Sequence, residues 1–448
     1  MCRTIGLGKT VPEQRARLEA LRVLELYDQS PSSVRAILRE ADTQSVMPSD
    51  VKPMVHSLTL GVIRFLNTID FLIVKALGHK KLSALSTHER TLLRLALYES
   101  RWMKTPLELV RETYLVSVPK LIPVFETALS LDLQRLIRNL TAVERYSIRL
   151  SHPSFLVRTL FDNLPSDEAV SLMEQDNTSR DYFIRVNRLK ADDQDAIIPH
   201  AVAGVDLQSD RDLPGLFLVK QGIDAIVGSD RFKRGEILIQ DKASVMTVVT
   251  LGPRPGDTVW DACASPGMKT QLIWEMMNRT GRVVATDVYA KRARMGHQRS
   301  ELLGCGEVEW LQADASRSPV MNADKILIDA PCTSTGVLRS HPSFKWRLNK
   351  STLLDIMSIQ HKILDGILTA YSGRPGTEIV YATCSLLPHE GESQIDSAMT
   401  RHRFELVRPP IPNSPGYPSF RCSQSVCRLF PHRHSTNGFF IAHLRITR

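Results

Sequence analysis

The chain has 448 residues, 43% of them apolar, enough for two or three domains with ordinary buried cores. Lys and Arg exceed Asp and Glu by 57 to 48, and the formal charge of +9 suits a polyanionic partner whose phosphates basic side chains neutralise. Seven cysteines in a chain of this length do not make a disulfide framework, and no run of about 18 apolar residues reads as a membrane span. Residues 1–14 lack the apolar core of a secretory signal. Six of the cysteines follow residue 260, a distribution that fits a reduced, cytoplasmic protein better than a stapled, secreted one.

Residues 11–143 read as helices. Residues 16–27 carry Leu18, Leu21, Leu24 and Leu26, with Arg15, Arg17, Glu19 and Arg22 among them, an amphipathic pattern. Residues 58–77 repeat apolar side chains at three- and four-residue spacing. Ser86 or Thr87 is placed to cap a helix that runs on through Thr91-Leu92-Leu93-Arg94-Leu95-Ala96-Leu97-Tyr98. A further helical stretch covers residues 107–140. No strand pattern interrupts the block, which predicts an all-α domain over residues 1–145. It reads as a folding or interaction module. Arg15, Arg17, Arg90, Arg94, Arg101 and Lys104 add docking to RNA as the functional alternative to a plain solvated face.

Residues 146–239 predict a small α+β subdomain. Ser151-His152-Pro153-Ser154 stops one helix and starts another. Phe183-Ile184-Arg185-Val186-Asn187 alternates like a strand, a polar run follows at residues 191–195, and residues 216–219 and 236–239 offer further strands. Arg185, Asn187 and Lys190 either face RNA or solubilise a strand edge.

Over residues 240–448 strands and helices alternate. Strands are predicted at residues 258–261, 282–287, 307–312, 325–329 and 378–381, which gives a mostly parallel sheet with helices on both faces. Ligands of such sheets bind at the carboxyl ends of the strands. Asp261, Asp287, Asp314 and Asp329 all fall on that rim.

The turn Asp261-Ala262-Cys263-Ala264-Ser265-Pro266-Gly267-Met268-Lys269-Thr270 is neither a Walker phosphate loop nor a three-glycine dinucleotide fingerprint. Its small residues admit a cofactor that carries a carboxylate and an ammonium but no phosphate, as S-adenosylmethionine does. Amides at the helix start near Lys269 can receive the carboxylate. Asp287 is placed to accept from ribose hydroxyls, and Asp314 from an adenine amino group. Each aspartate alone could instead be a helix cap.

Two cysteines end apolar strands: Cys332 in Asp329-Ala330-Pro331-Cys332, and Cys384 in Ala382-Thr383-Cys384-Ser385. A cysteine in such a place is often a small buried hydrophobe, but two flanking one cofactor rim suit covalent catalysis. Carbon 5 of cytosine attacks a sulfonium methyl group only after a thiolate has added at carbon 6. Thiolate is suited because it is reactive near neutral pH and can depart again. Asp329 could hold the ring at nitrogen 3 and its amino edge, donating to nitrogen 3 only if protonated.

These motifs, with Gly336-Val337, His341-Pro342, Lys345-Trp346 and the terminal Asn437-Gly438-Phe439-Phe440, resemble the RNA cytosine-5 methyltransferases of the Sun family, related to ribosomal small-subunit methyltransferase B. The likeness covers nearly the whole chain, and Arg185-Val186-Asn187 belongs to it. The helices around Leu85-Ser86, Glu89-Arg90 and Tyr98-Glu99 are similar to the NusB-like RNA-binding domain of that ribosomal subgroup. The resemblance implies a Rossmann-like methyltransferase domain using S-adenosyl-L-methionine, with Cys384 as nucleophile and Cys332 assisting release. It places the cofactor on Cys263, Ala264, Ser265, Pro266, Gly267, Met268, Lys269, Asp287, Arg292, Asp314 and Asp329. One departure stands out: the family loop has two adjacent glycines before the lysine, and Met268 occupies the second position, where it either crowds the cofactor or points into helix packing.

Ribosomal RNA is the expected partner. Transfer RNA, or a catalytically silent RNA-binding assembly role on the same fold, are the alternatives. Cys422, Cys427, His432 and His434 have the residue types of a zinc site, but their spacings do not fit the usual short Cys-x-x-Cys pattern. A basic surface loop is expected there, with no metal.

Overall fold

The computed structural model describes residues 11–30, 32–44, 50–191 and 202–448. The stretch before Val11, and most of the polar run at residues 191–195, lie outside the described residues. The chain divides into two compact units. One comprises the chain up to Thr178 together with Leu338–Arg347, and the other comprises Ser179–Val337 with Leu348–Arg448. The division therefore falls elsewhere than at the expected boundaries near residues 145 and 239.

The first unit is helical, as its amphipathic periodicity requires. Ser86, not Thr87, caps the helix Thr87–Tyr98, in a capping box closed by Glu89. Thr141 and Glu144 repeat the device ahead of Ala142–Arg149. The helix Lys52–Arg64 buries Val55, Leu58, Val62 and Ile63, and Leu66–Ala76 buries Ile69, Leu72 and Ile73. These two helices together are long and apolar, but they bend by 69° at their junction; among the described residues no single helix is long and apolar enough to cross a membrane.

Several of the basic residues suggested as an RNA-docking face are structural. Arg17 is buried and pairs with the buried Glu99, Nη2 to Oε2 at 2.9 Å; Glu99 also accepts from Thr105 Oγ1 at 3.0 Å and from the Tyr114 hydroxyl. Arg94, also buried, bridges Asp70 (2.7 Å) and Asp28 (2.9 Å), and Arg90 reaches Asp28 as well. Arg101 donates to the carbonyl of Leu131 at 2.8 Å. The reason is chemical: a planar guanidinium satisfies two or three acceptors at once and so can hold helices together from inside. Arg15 and Lys104 are exposed.

Helices through Ser166–Asp176 belong to this unit because polar contacts tie them in. The Asn67 side chain donates to the carbonyl of Ser147 at 2.9 Å, and Asn177 donates to that of Leu150 at 2.6 Å. Leu338–Arg347, from the far half of the sequence, completes it. Lys345 is fully buried and donates to the Ser151 carbonyl (3.0 Å) and to Asn177 Oδ1 (2.7 Å). Trp346 Nε1 donates to the Ile63 carbonyl at 2.7 Å, and the Arg347 guanidinium lies over the Tyr27 ring.

The second unit contains two sheets. Strands β1 (Tyr182–Val186), β2 (Asp206–Ser209), β3 (Leu216–Gln221) and β4 (Ile237–Ile239) form an antiparallel sheet in the order β2-β3-β1-β4. Arg185 and Asn187 do not face outward. Arg185 is buried and donates to Gln240 (2.7 Å), Glu275 (2.9 Å) and Gln271. Asn187 is fully buried and donates to the carbonyls of Gly235 and Leu303, both at 2.8 Å. These side chains fasten the small sheet to the helices Met268–Met276 and Ala290–Leu303. Lys190 is exposed and reaches the carbonyl of Arg234.

The large sheet holds β5 (Thr258–Asp261), β6 (Arg282–Asp287), β7 (Glu309–Gln312), β8 (Lys325–Asp329), β9 (Glu378–Thr383), β10 (Phe404–Val407), β11 (Cys427–Leu429) and β12 (Phe439–Ile446). Its order is β10-β12-β9-β8-β5-β6-β7, with β11 also pairing to β12. The five strands from β9 to β7 are parallel, and their positions are those expected to within two residues at any end. The antiparallel part, in which β12 runs between β9 and β10, was not expected. Connections leave β5 for β6 and β7 on one side and return to β8 on the other. That reversal opens a crevice at the carboxyl ends of β5 and β8.

A buried pair broken from one side leaves an uncompensated charge, a cost of about 3 kcal/mol or more. Arg17→Met should therefore lower the urea midpoint of the full-length protein. A midpoint equal to that of the parent, with weakened RNA binding, would return Arg17 to the RNA face.

Candidate active site

A cavity of about 590 Å³ lies at this rim, walled by loops after β5, β6, β7, β8 and β9 and by the helix Lys350–Tyr371. Beyond β5 the chain stays tied to the sheet: Ala262 N donates to the Leu327 carbonyl at 2.8 Å, and Ala264 N to that of Thr286 at 2.9 Å. Gly267, at φ +97°, then turns the chain into the helix Met268–Met276, a conformation that a residue with a side chain adopts only under strain.

Of the loop residues expected at the cofactor, Cys263 and Ser265 line the cavity, whereas Ala264, Pro266, Gly267, Met268 and Lys269 do not. Met268 packs against the apolar cluster that includes Ala243, Leu272 and Phe439, so its side chain is directed into helix packing. Lys269 serves the site from behind, with Nζ 2.6 Å from Asp329 Oδ2. Burial opposes its charge, but the Asp329 carboxylate outweighs burial and holds the ammonium above its usual range. Asp261 is fully buried and off the wall; it accepts from Thr270 Oγ1 at 2.7 Å, and burial pushes its carboxyl up to about 7.

Asp287, Arg292, Asp314 and Asp329 all line the cavity. Asp287 is almost wholly buried; its Oδ1 accepts from Tyr289 N at 3.1 Å and its Oδ2 lies 3.1 Å from Arg292 Nε. Arg292 also donates to the Ser265 carbonyl at 3.1 Å, joining the loops after β5 and β6. Asp314 combines both of its readings. It caps the turn Ala315–Arg317, accepting from Ser316 N at 3.0 Å, while facing the cavity.

Parallel pairing of β8 with β9 sets Asp329 opposite Ala382. The strand ends therefore deliver Cys332 and Cys384 to the same place, with their sulfurs 3.2 Å apart, both on the cavity wall. A hydrogen bond from Cys332 holds Cys384 below the usual thiol range despite its burial, and the same bond, with burial, keeps Cys332 well above it. The Ser334 hydroxyl lies 3.5 Å from Cys384 Sγ. Burial pushes the third cysteine on the wall, Cys263, upward. Cys384 alone of the three is biased toward thiolate. Gly336 N donates to the Cys384 carbonyl at 2.9 Å, and a Cβ on Gly336 would overlap the backbone of Gly438, where the chain enters β12.

Sequence reasoning missed Val288 and Tyr289, just after Asp287, and Ile359, Lys362 and Ile363 of Lys350–Tyr371. The first two sit in a strand-end loop and were open to inference. The last three carry only an amphipathic helical pattern, which reads as core. Cys422, Cys427, His432 and His434 form no shared centre. Cys427 lies inside β11, Cys422 Sγ is directed at the Glu392 carbonyl, and His434 Nδ1 accepts from Phe430 N. Among the described residues no three His, Cys, Asp or Glu side chains gather to hold a metal.

Residues 248–445 match the family model described as 16S rRNA methyltransferase RsmB/F, and residues 14–113 match that of the NusB family. The chain is 28% identical over 460 residues to ribosomal RNA small subunit methyltransferase B of Pasteurella multocida, covering 98% of this chain and 97% of that one. It is 28% identical over 308 residues to the human 28S rRNA (cytosine(4447)-C(5))-methyltransferase, covering 66% of this chain and 38% of that one. The chain is therefore similar over nearly its whole length to the RNA cytosine-5 methyltransferases of the Sun family. It is an S-adenosylmethionine-dependent enzyme of that class, with a NusB domain toward its N-terminus. The crystal structure of PH0851, 24% identical, superposes with a TM-score of 0.77 over 98% of this chain and 99% of that one, the same fold throughout.

Because Met268 packs away from the cavity of this methyltransferase, Met268→Ala should leave S-adenosylmethionine affinity within about twofold while lowering the denaturation midpoint. Isothermal titration beside a thermal melt checks both; a large change in affinity would place the side chain at the cofactor.

Proposed function

We propose that this enzyme methylates carbon 5 of a cytidine in ribosomal RNA through a transient bond from Cys384 Sγ to carbon 6. The observation that carries the proposal is the pair of sulfurs 3.2 Å apart beside Asp329. The Cys384 thiolate adds to carbon 6, and the electron pair released into the ring makes carbon 5 the nucleophile. S-adenosylmethionine supplies the electrophilic methyl group. Transfer of the carbon 5 proton to solvent water then restores the ring as the carbon–sulfur bond breaks and its electron pair returns to Cys384 as thiolate, a departure that Cys332, one hydrogen bond away, assists. Asp329 already accepts from Lys269 on one oxygen, so its part at the ring is to accept from the exocyclic amino group.

The acceptors around the cavity suit this cofactor. Asp287 would take the ribose hydroxyls, Asp314 the adenine amino group, and the loop at Cys263 and Ser265 the methionyl end, with Arg292 bracing Asp287. Three carboxylates on one wall favour hydroxyl, amino and ammonium groups over phosphate. Ribosomal RNA is favoured by the NusB domain and by the small-subunit relative. Any RNA contact by the helical unit falls to exposed residues such as Arg15 and Lys104, since Arg17 and Arg94 are already committed to carboxylates. Bisulfite sequencing of ribosomal and transfer RNA, with and without the gene, identifies the substrate.

Asp287→Ala removes an acceptor whose loss leaves buried hydroxyls unpaired, worth about 1–3 kcal/mol. Calorimetry should show S-adenosylmethionine binding weakened by about tenfold or more in a folded variant, and unchanged affinity would misplace the cofactor.

The two cysteines should fail differently. Cys384→Ala is expected to give neither methylation nor adduct. Cys332→Ala should accumulate a covalent RNA complex, a slow band on a denaturing gel that requires S-adenosylmethionine and vanishes in the double variant. The opposite pattern would reverse the roles, and full activity in both variants would end cysteine catalysis at this rim.

A further inference from the structure

Neither the nucleophile nor its partner explains why two loops 52 residues apart in sequence hold their sulfurs in contact. Thr335 bridges the loops farther along, its Oγ1 lying 3.1 Å from Ser385 Oγ and accepting from Leu386 N at 2.9 Å, but the residues directly after the two cysteines are joined through Glu390. We propose that Glu390 is a positioning residue whose carboxylate clamps the Cys332 loop to the Cys384 loop and so sets the spacing of the two sulfurs. The inference rests on the reading that Cys384 is the attacking group.

Glu390 ends the short turn Pro388–Glu390 after β9 and is fully buried. Its Oε1 accepts from the backbone amide of Thr333, the residue after Cys332, at 2.8 Å. Its Oε2 accepts from the hydroxyl of Thr333 and from that of Ser385, the residue after Cys384. Gln360 Nε2 adds a bond to Oε1 at 3.0 Å and another to the carbonyl of Pro331, the residue before Cys332, at 2.8 Å. One carboxylate thus collects donors from both cysteine loops. Its own carbonyl accepts from the Tyr381 hydroxyl at 3.0 Å, which fixes it to β9.

The donors on this carboxylate are an amide N–H, two hydroxyls and a side-chain amide, none of them a cation. A buried carboxylate so held loses its compensation when either loop withdraws. The contrast with Glu392, two residues on, is instructive. Glu392 is neutralised by the buried Arg428, which separately holds the Ser385 carbonyl at 2.7 Å. Glu392 therefore needs no donor from the Cys332 loop, whereas Glu390 needs both loops closed. Glu390 is absent from the cavity wall, so it acts through Thr333 and Ser385 and not on the substrate.

The test uses the full-length protein with Glu390→Ala and Glu390→Gln. Iodoacetamide alkylation of Cys384, followed by peptide mass mapping across neutral to alkaline pH, reports the thiolate directly and requires neither RNA nor turnover. When the clamp is lost, Cys332 no longer donates steadily to Cys384, so the alkylation midpoint should move upward by about one pH unit in Glu390→Ala and by less in Glu390→Gln. Methylation should fall about tenfold or more in kcat while the KM for S-adenosylmethionine stays within about twofold. A Glu390→Ala protein that binds S-adenosylmethionine normally and alkylates like the parent overturns the proposal. If Glu390→Ala does not fold, Thr333→Val decides: it removes one hydroxyl from the clamp, and an unmoved alkylation profile is equally fatal. Activity persisting in Cys384→Ala would instead refute the nucleophile assignment, and the alkylation profiles would still judge the clamp.

Discussion

The parallel register between β8 and β9 is the constraint on which the site depends. Asp329 stands opposite Ala382, so each strand end carries its cysteine to the same rim. Side chains alternate between the faces of a strand, so a slip of one residue would turn one strand's set relative to the other and separate the sulfurs. Ala330 N donating to the Ala382 carbonyl extends the ladder one step beyond β8 and protects that register. The reversal of strand order beside β5 then opens the crevice next to the same strand ends, so one rim of the sheet gathers Asp287, Asp314 and Asp329 with both cysteines.

Charges buried for structural reasons recur through the molecule. Arg17 with Glu99, Arg185 with Glu275, and Arg428 with Glu392 are each sunk into a core and surrounded by further hydrogen bonds. Such pairs contribute little net stability but strongly disfavour arrangements that separate them. They sit where elements must meet in one way: between helices of the first unit, between the small sheet and the methyltransferase helices, and behind the Cys384 loop.

What the sequence revealed follows from how local the signals are. The five parallel strands end in aspartate, glutamine or threonine after short apolar runs, so the strands and the rim residues Asp287, Asp314 and Asp329 were legible together. Both cysteines were legible from their strand-end motifs. The fate of Arg17 was hidden, because its partner lies 82 residues away and nothing near Arg17 announces it. Arg185 in β1 and Asn187 just after it follow an alternation that is that of an exposed edge, yet two neighbouring helices cover them. Strand β12 escaped because seven of its eight residues are buried, which erases the in-out alternation that marks a strand. Met268 was ambiguous for a related reason: a side chain at the first turn of a helix can face either way, and only the packing around it decides.

The detour of Leu338–Arg347 into the helical unit bears on how the protein is made. Lys345 and Trp346 fill places beside Ile63 and Ser151, so that unit lacks part of its interior until nearly 350 residues have been joined. Domains generally fold as units, the N-terminal one first during synthesis. Here the first-made helices emerge with their core incomplete, and their final closure spans a separation of 283 residues between Ile63 and Trp346. Closing so long a loop is entropically slow, though each doubling of length adds only about 0.6 kcal/mol. The chain between Cys332 and Cys384 is thus also the piece that finishes the helical unit, and the last step in assembling one half of the protein waits on the translation of the other.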